Sequence, residues 1–154
     1  MKKSLVVAAV AFSLAFMSPM ALADDQPPSG ARPLSGILAS LEDTDVGVIT
    51  KAEFDDGYWE IKAVKNGQRT KLYVHPDTGQ IDRRKSENND DDVPPSDALR
   101  LSEIVKGVEQ RGVGVITEVE FDDSRWEIKV RDNGKRVDLR VDPRTGEQRE
   151  KRRR

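Results

Sequence analysis

Few side chains in this 154-residue chain are of a type that acts on a ligand. His75 is the sole histidine and cysteine is absent, which excludes a His/Cys metal cluster, a thiol nucleophile and a disulfide. No serine or aspartate stands beside a candidate base, so the nucleophile-and-base pairing of covalent catalysis is missing. Acidic runs at Asp55-Asp56, Asp90-Asp91-Asp92 and Asp122-Asp123 offer oxygen ligands for a hard cation such as calcium. They lack the ligand spacing and central glycine of an EF-hand loop, and read first as turns and a solvated linker. The expectation is a chain that binds and does not catalyse, with no cofactor.

The elements that position these residues come from a duplication. Residues 34–81 and 101–148 align without a gap at an offset of 67. Each copy opens with one apolar stripe at helical spacing: Leu34, Ile37, Leu38 and Leu41, then Leu101, Ile104, Val105 and Val108. Ser96 or Asp97, following two prolines, is the expected N-cap of the second helix. Three alternating strands follow in each copy. The first points Val48, Ala52 and Phe54 one way, matched by Val115, Val119 and Phe121. The second points Trp59, Ile61 and Ala63 the same way, matched by Trp126, Ile128 and Val130. The third adds Leu72 and Val74, matched by Leu139 and Val141. Opposite faces carry Lys51, Glu60, Lys62 and Lys71 in one copy and Glu118, Glu127, Lys129 and Asp138 in the other. One apolar and one wet face mark an antiparallel sheet covered on a single side. Asn66-Gly67 and Asn133-Gly134 are hairpin turns, and Asp55-Asp56-Gly57 and Asp122-Asp123-Ser124 are tight acidic ones. The predicted fold class is α+β: two tandem repeats, each a helix packed on a three-stranded antiparallel β-meander. Each unit has about 50 residues, near the lower limit for a core without staples, so the units should pack on one another or pair with a second copy.

Each copy ends alike, at Val74-His75-Pro76-Asp77-Thr78-Gly79 and Val141-Asp142-Pro143-Arg144-Thr145-Gly146. Asp142 and Thr145 are suited to accept bonds from neighbouring backbone amides in a turn. Together with the Trp126-Glu127-Ile128-Lys129 strand and the Asn-Gly hairpin, this ending resembles the PepSY domain. The second copy fits closely, and the first departs at His75, where that family's aspartate is replaced. The resemblance covers both repeats. It implies a non-catalytic exported domain of the kind found in propeptides of thermolysin-like metallopeptidases and in stand-alone periplasmic proteins, where it restrains or regulates a peptidase.

The chain ends bound the setting. Lys2-Lys3, the apolar run Leu5 to Phe16 and the small-x-small site Ala21-Leu22-Ala23 read as a signal peptide over residues 1–23, with cleavage after Ala23. That run is shorter than the ~20 residues a spanning helix needs, so no stable membrane insertion is expected. Removing it subtracts two lysines and moves the formal net charge from −2 to −4, against nucleic-acid binding. Residues 24–32 form a flexible lead-in, 33–81 and 97–148 the repeats, 82–96 a charged linker, and 149–154 a basic tail. Trp59 and Trp126 recur and belong to the core. The copies disagree on the wet face, where Tyr58, Tyr73 and His75 stand against Arg125, Arg140 and Asp142. Aromatic and Arg residues anchor interfaces, so Tyr58, Tyr73, His75, Arg125 and Arg140 are the candidate partner-binding residues. The expected partner is a protein, an exported peptidase or a membrane sensor ectodomain. The alternative is an envelope protein binding a ligand or divalent metal through its acidic turns.

Overall fold

The computed structural model describes residues 25–151, so the signal peptide and its cleavage site, and the last three residues of the basic tail, lie outside the described residues. In chain order the elements are α1 (Leu34–Glu42), β1 (Val48–Asp55), β2 (Tyr58–Lys65), β3 (Gln68–Val74) and β4 (Ile81–Glu87). They continue as α2 (Leu101–Gln110), β5 (Val115–Asp122), β6 (Arg125–Asp132), β7 (Lys135–Val141) and β8 (Gln148–Glu150). The class is α+β: two helices and one antiparallel sheet of eight strands, ordered β4-β3-β2-β1-β5-β6-β7-β8. The two halves do not merely touch. Their first strands pair, Lys51 with Glu120, Ala52 with Val119 and Glu53 with Glu118. Ala52 and Val119 occupy the same place in the two copies, so a local twofold axis runs through this pairing.

Both helical stripes and the inward face of every long central strand fall into one core. Trp59 and Trp126 sit within it, each 1% exposed and set edge-on to Phe54 and Phe121 at centroid distances of 5.4 and 5.1 Å. The opposite face of the sheet is open and polar.

Four expectations need correction. Each half has a fourth strand, so the sheet is not built of three-stranded units. β4 begins at Ile81, the last residue of the first repeat, and runs through the stretch read as linker, and β8 runs into the tail. These are edge strands with exposed faces, and β4 (Ile-Asp-Arg-Arg-Lys-Ser-Glu) has no apolar alternation to betray it. Second, Val48 and Val115 do not face the core; they are 46% and 42% exposed. The β1–β2 and β5–β6 registers slip at Ile49/Lys51 and Ile116/Glu118. A bulge there adds one residue, Thr50 or Thr117, and reverses the phase, so Ile49 and Ile116 turn inward. Third, α2 starts at Leu101, not at Ser96 or Asp97, and the flanking Arg100 makes no side-chain cap. Fourth, the lead-in is anchored: Arg32 N–H donates to Pro76 O at 3.1 Å, as Leu99 N–H donates to Pro143 O at 2.8 Å.

The capping of the helices is reciprocal. Glu109, near the end of α2, accepts from Ser35 N–H at 3.1 Å and from the Ser35 hydroxyl at the start of α1. Glu42, the last residue of α1, accepts from Ser102 N–H at 3.3 Å at the start of α2. Each carboxylate meets free amides and the positive end of the partner helix dipole. Behind them, Gly47 and Gly114 enter β1 and β5 at φ +93° and +124°, where a Cβ would strike the carbonyl oxygens of Val64 and Arg131.

Two substitutions probe this architecture. Glu109→Ala is expected to cost about 1–2 kcal/mol by uncapping α1 from across the helix pair. Ser124 holds φ +64° in the turn where the first copy has Gly57. Ser124→Gly is therefore expected to stabilise by about 1 kcal/mol, a melting-temperature rise of about 3 °C, read by calorimetry.

Candidate functional site

The open face is laid out by cross-strand register. One row across the sheet runs Lys85, Lys71, Lys62 and Lys51 on β4 to β1, then Glu120, Glu127, Arg140 and Arg149 on β5 to β8. The adjacent row runs Arg83, Tyr73, Glu60, Glu53, Glu118, Lys129 and Asp138 on β4 to β7. Like charges directly opposite one another are destabilising, so the face depends on diagonal pairs. Lys71 reaches Glu60 diagonally at 2.7 Å, whereas Arg140 meets Glu127 directly opposite it at 3.2 Å. Lys151 also reaches Glu127, at 2.9 Å.

At the centre, Lys51 lies 3.0 Å from Glu53, 3.2 Å from Glu118 and 3.6 Å from Glu120. Glu118 is 6% exposed and is also bound by Lys129. Burial acts to raise the Glu118 carboxyl, but the bonds from Lys129 and Lys51 outweigh it and hold it below the usual carboxylate range. Burial instead pushes Glu120 above that range. For Lys51 burial acts downward, yet the bond to Glu53 and the charges of Glu118 and Glu120 carry the ammonium above its usual range.

The sequence-predicted residues fall into separate places. Tyr58 and His75 meet edge-to-face at a centroid distance of 6.2 Å. Tyr73 lies under the Arg83 guanidinium at 3.9 Å, with Lys71 at 5.9 Å. Arg140 is tied to Glu127, and Arg125 is exposed and bears on Asp142. Tyr58 and Tyr73 are on β2 and β3, Arg125 and Arg140 on β6 and β7, with β1 and β5 between them. At about 4.8 Å per strand, β3 and β7 are about 24 Å apart, so the five residues form two patches.

His75 serves a turn. Its Nδ1 accepts from Asp77 N–H at 3.2 Å. In the second half Asp142 Oδ1 accepts from both Arg144 N–H and Thr145 N–H at 2.9 Å, and those amides hold its carboxyl below the usual range. Thr78 and Thr145 repeat one bond, each accepting at 3.2 Å from an N–H two residues on. The acidic turns do not converge: among the described residues no group of three or more His, Asp or Glu is placed to hold a metal ion. Nor is any helix among them long and apolar enough to cross a membrane.

Sequence reasoning missed the strap that crosses the face. Residues after β4 turn back so that Asp91 pairs with Lys62 at 3.4 Å and its carbonyl accepts from Arg69 at 2.9 Å. Asp90 lies 3.4 Å from Arg69. The readable signal was that Lys51 and Lys71 replace Glu118 and Asp138, leaving the first copy short of counter-ions.

A family model described as peptidase propeptide and YPEB domain matches residues 7–85 and 88–152. No curated protein matches the chain. The crystal structure of a candidate lipoprotein from Clostridium difficile 630 matches with a TM-score of 0.46 and 13% identity, over 84% of this chain and 99% of that one.

The central cluster makes a stability prediction. Lys51→Met leaves Glu118, Glu53 and Glu120 with less compensation and should cost about 2 kcal/mol, moderated by the water that reaches the outer carboxylates. In the wild type a depressed Glu118 contributes stability above the usual carboxylate range and loses it as pH falls through the depressed value. In Lys51→Met the carboxylates rise instead, so the deficit should shrink between pH 7 and pH 4. Denaturant melts at both pH values measure this, and a constant deficit contradicts it.

Proposed function

The chain belongs to the family of peptidase propeptide and YPEB domains (PepSY), and on that premise we propose that it is a non-catalytic binding module of the cell envelope. Its open sheet face receives a protein partner, an exported peptidase or the ectodomain of a membrane sensor, and restrains or regulates it. The observation carrying this reading is the one-sided sheet. Both helices cover one face, and the other presents Tyr58, Tyr73 and an array of ionic side chains, with no covering element among the described residues beyond the short strap. Family membership supports a peptidase-related partner, since propeptide domains act by contact with the peptidase.

Export by residues 1–23 and a periplasmic location belong to the same proposal, supported by the charged start, the apolar run and the Ala21-Leu22-Ala23 site. Tyr58, Tyr73 and His75 form the aromatic patch and Arg125 and Arg140 the cationic one, either end of a face wide enough for a folded partner. Aromatic anchors and arginines are the residue types whose truncation most often weakens an interface. The lone histidine is engaged with its own turn through Asp77.

The test is capture from periplasmic extract by the chain from Asp24 onward. Wild type is compared with Tyr58→Ala, Tyr73→Ala, Arg125→Ala and Arg140→Ala combined. All four positions are solvent-reaching, and melting temperature and circular dichroism report that the variant is folded. The expected result is a partner retained by wild type and depleted at least tenfold by the variant. Equal capture by both removes this face from the interface.

A further inference from the structure

The two halves of the open face share a lysine and an arginine at matching positions and satisfy them differently. In the second half Lys129 pairs with Glu118, and Arg136 with Asp138 at 2.7 Å, all within the sheet. The same positions in the first half are Lys62 and Arg69, but Glu118 and Asp138 are replaced by Lys51 and Lys71. Lys51 is drawn to the central carboxylates, and Lys71 is taken by Glu60, with Glu87 at 3.8 Å. Lys62 and Arg69 therefore have no carboxylate of their own strands to bind. Their counter-ions come from the strap, through Asp91 and Asp90.

The strap fits this surface imperfectly. Both side-chain ion pairs are long, at 3.4 Å. The Asp90 carboxylate is fully exposed. Asn89 Oδ1 is buried with no hydrogen-bond partner, an arrangement that costs free energy. Beside the strap an open cleft of about 560 Å³ continues the cationic surface past Arg69 to Lys85 and wraps the sheet edge to Arg84 on the opposite face of β4. The lysine row spans four neighbouring strands, and with Arg69 and Arg83 it sets six cations against Glu53, Asp55, Glu60 and Glu87.

We propose that the open face of the first half is a receptor for an extended acidic segment of the protein partner, and that Asn88–Asp92 is a tethered stand-in that this segment displaces. The proposal rests on the reading of the open face as a protein-binding surface and supplies the partner's chemistry. A free acidic segment would offer carboxylates to Lys62 and Arg69 with better geometry than the strap and would extend into the cleft toward Lys85. A tethered competitor lowers apparent affinity by the fraction of time the surface is free, so the strap sets a threshold that a weakly acidic or short segment does not cross.

The probe is a fluorescein-labelled decapeptide of alternating Asp and Ser, titrated by anisotropy at low salt with the chain from Asp24 onward. Three proteins are compared: wild type, Asp90→Asn/Asp91→Asn/Asp92→Asn, and that variant with Lys62→Gln and Arg69→Gln added. Removing the strap's charge should tighten binding about tenfold, adding the Lys62 and Arg69 changes should abolish the gain, and salt should weaken every affinity. Asp91→Asn alone should give a smaller change of the same sign and tests the idea if the triple variant folds poorly. Equal affinity of wild type and strap variant, or a gain that survives loss of Lys62 and Arg69, overturns the proposal. Tighter binding of a labelled oligonucleotide of equal charge overturns it in favour of nucleic acid. The synthetic probe needs no cellular partner. Failed capture from extract with intact peptide binding sinks only the envelope-partner reading, and the reverse pattern sinks only the acidic-segment receptor.

Discussion

The antiparallel pairing of β1 with β5 is the contact on which the rest of the molecule depends. Three register pairs about Ala52 and Val119 convert two short sheets into one of eight strands. An isolated half would leave β1 bare as an edge and would have only about 50 residues with which to build a core. Joined, the halves share one core, and the same axis sets α1 beside α2 so that Glu42 and Glu109 cap opposite helices. The seam itself is unequal. Glu53 faces Glu118 across it, and Lys51 is the single cation among the six residues in register. Lys51 therefore reaches three carboxylates at once, and the side chain that distinguishes the copies most sharply sits at the centre of the fold.

A pairing of this kind decides which surface stays wet. Because both helices arrive on one side, the apolar positions of β2, β3, β6 and β7 turn that way, Val64 excepted. The other face is left to charges whose neighbours are often of like sign. Lys85, Lys71, Lys62 and Lys51 follow one another across four strands. Such a row persists because carboxylates approach diagonally or from outside the sheet. The second half solves the problem with Glu118 and Asp138, and the first half with an acidic strap. The charge asymmetry of this PepSY chain thus follows from a difference in where counter-ions are stored.

Much of the local structure was legible. The helix stripes, the Trp-x-Ile strands, the Asn-Gly hairpins and the Thr-Gly endings each follow from residue types within a few positions of one another, and each is where the pattern placed it. The turn role of His75 came from the structure, where its Nδ1 stands in the place of the Asp142 carboxylate that accepts amides in the other copy. The candidate site was legible only as a set of exposed differences. Tyr58, Tyr73, Arg125 and Arg140 are on the open face, but nothing local reveals that two central strands divide them. The errors share a cause. The bulge at Thr50 and Thr117 reverses an alternation that looks uninterrupted in the sequence, and β4 lacks any alternation because neither of its faces is covered.

The sequence by itself determined the two helices, the six long strands, their turns and most of the core, because periodicity and backbone preference act over short stretches of chain. Only the tertiary structure decided that the two copies make one sheet, that each helix is capped by the other's glutamate, and that Asp90 and Asp91 lie against Lys62 and Arg69. Those are contacts between residues about 20 to 75 positions apart. Charge and hydrogen bonding depend on distance in space, and the β1–β5 pairing sets that distance for every charge on the open face.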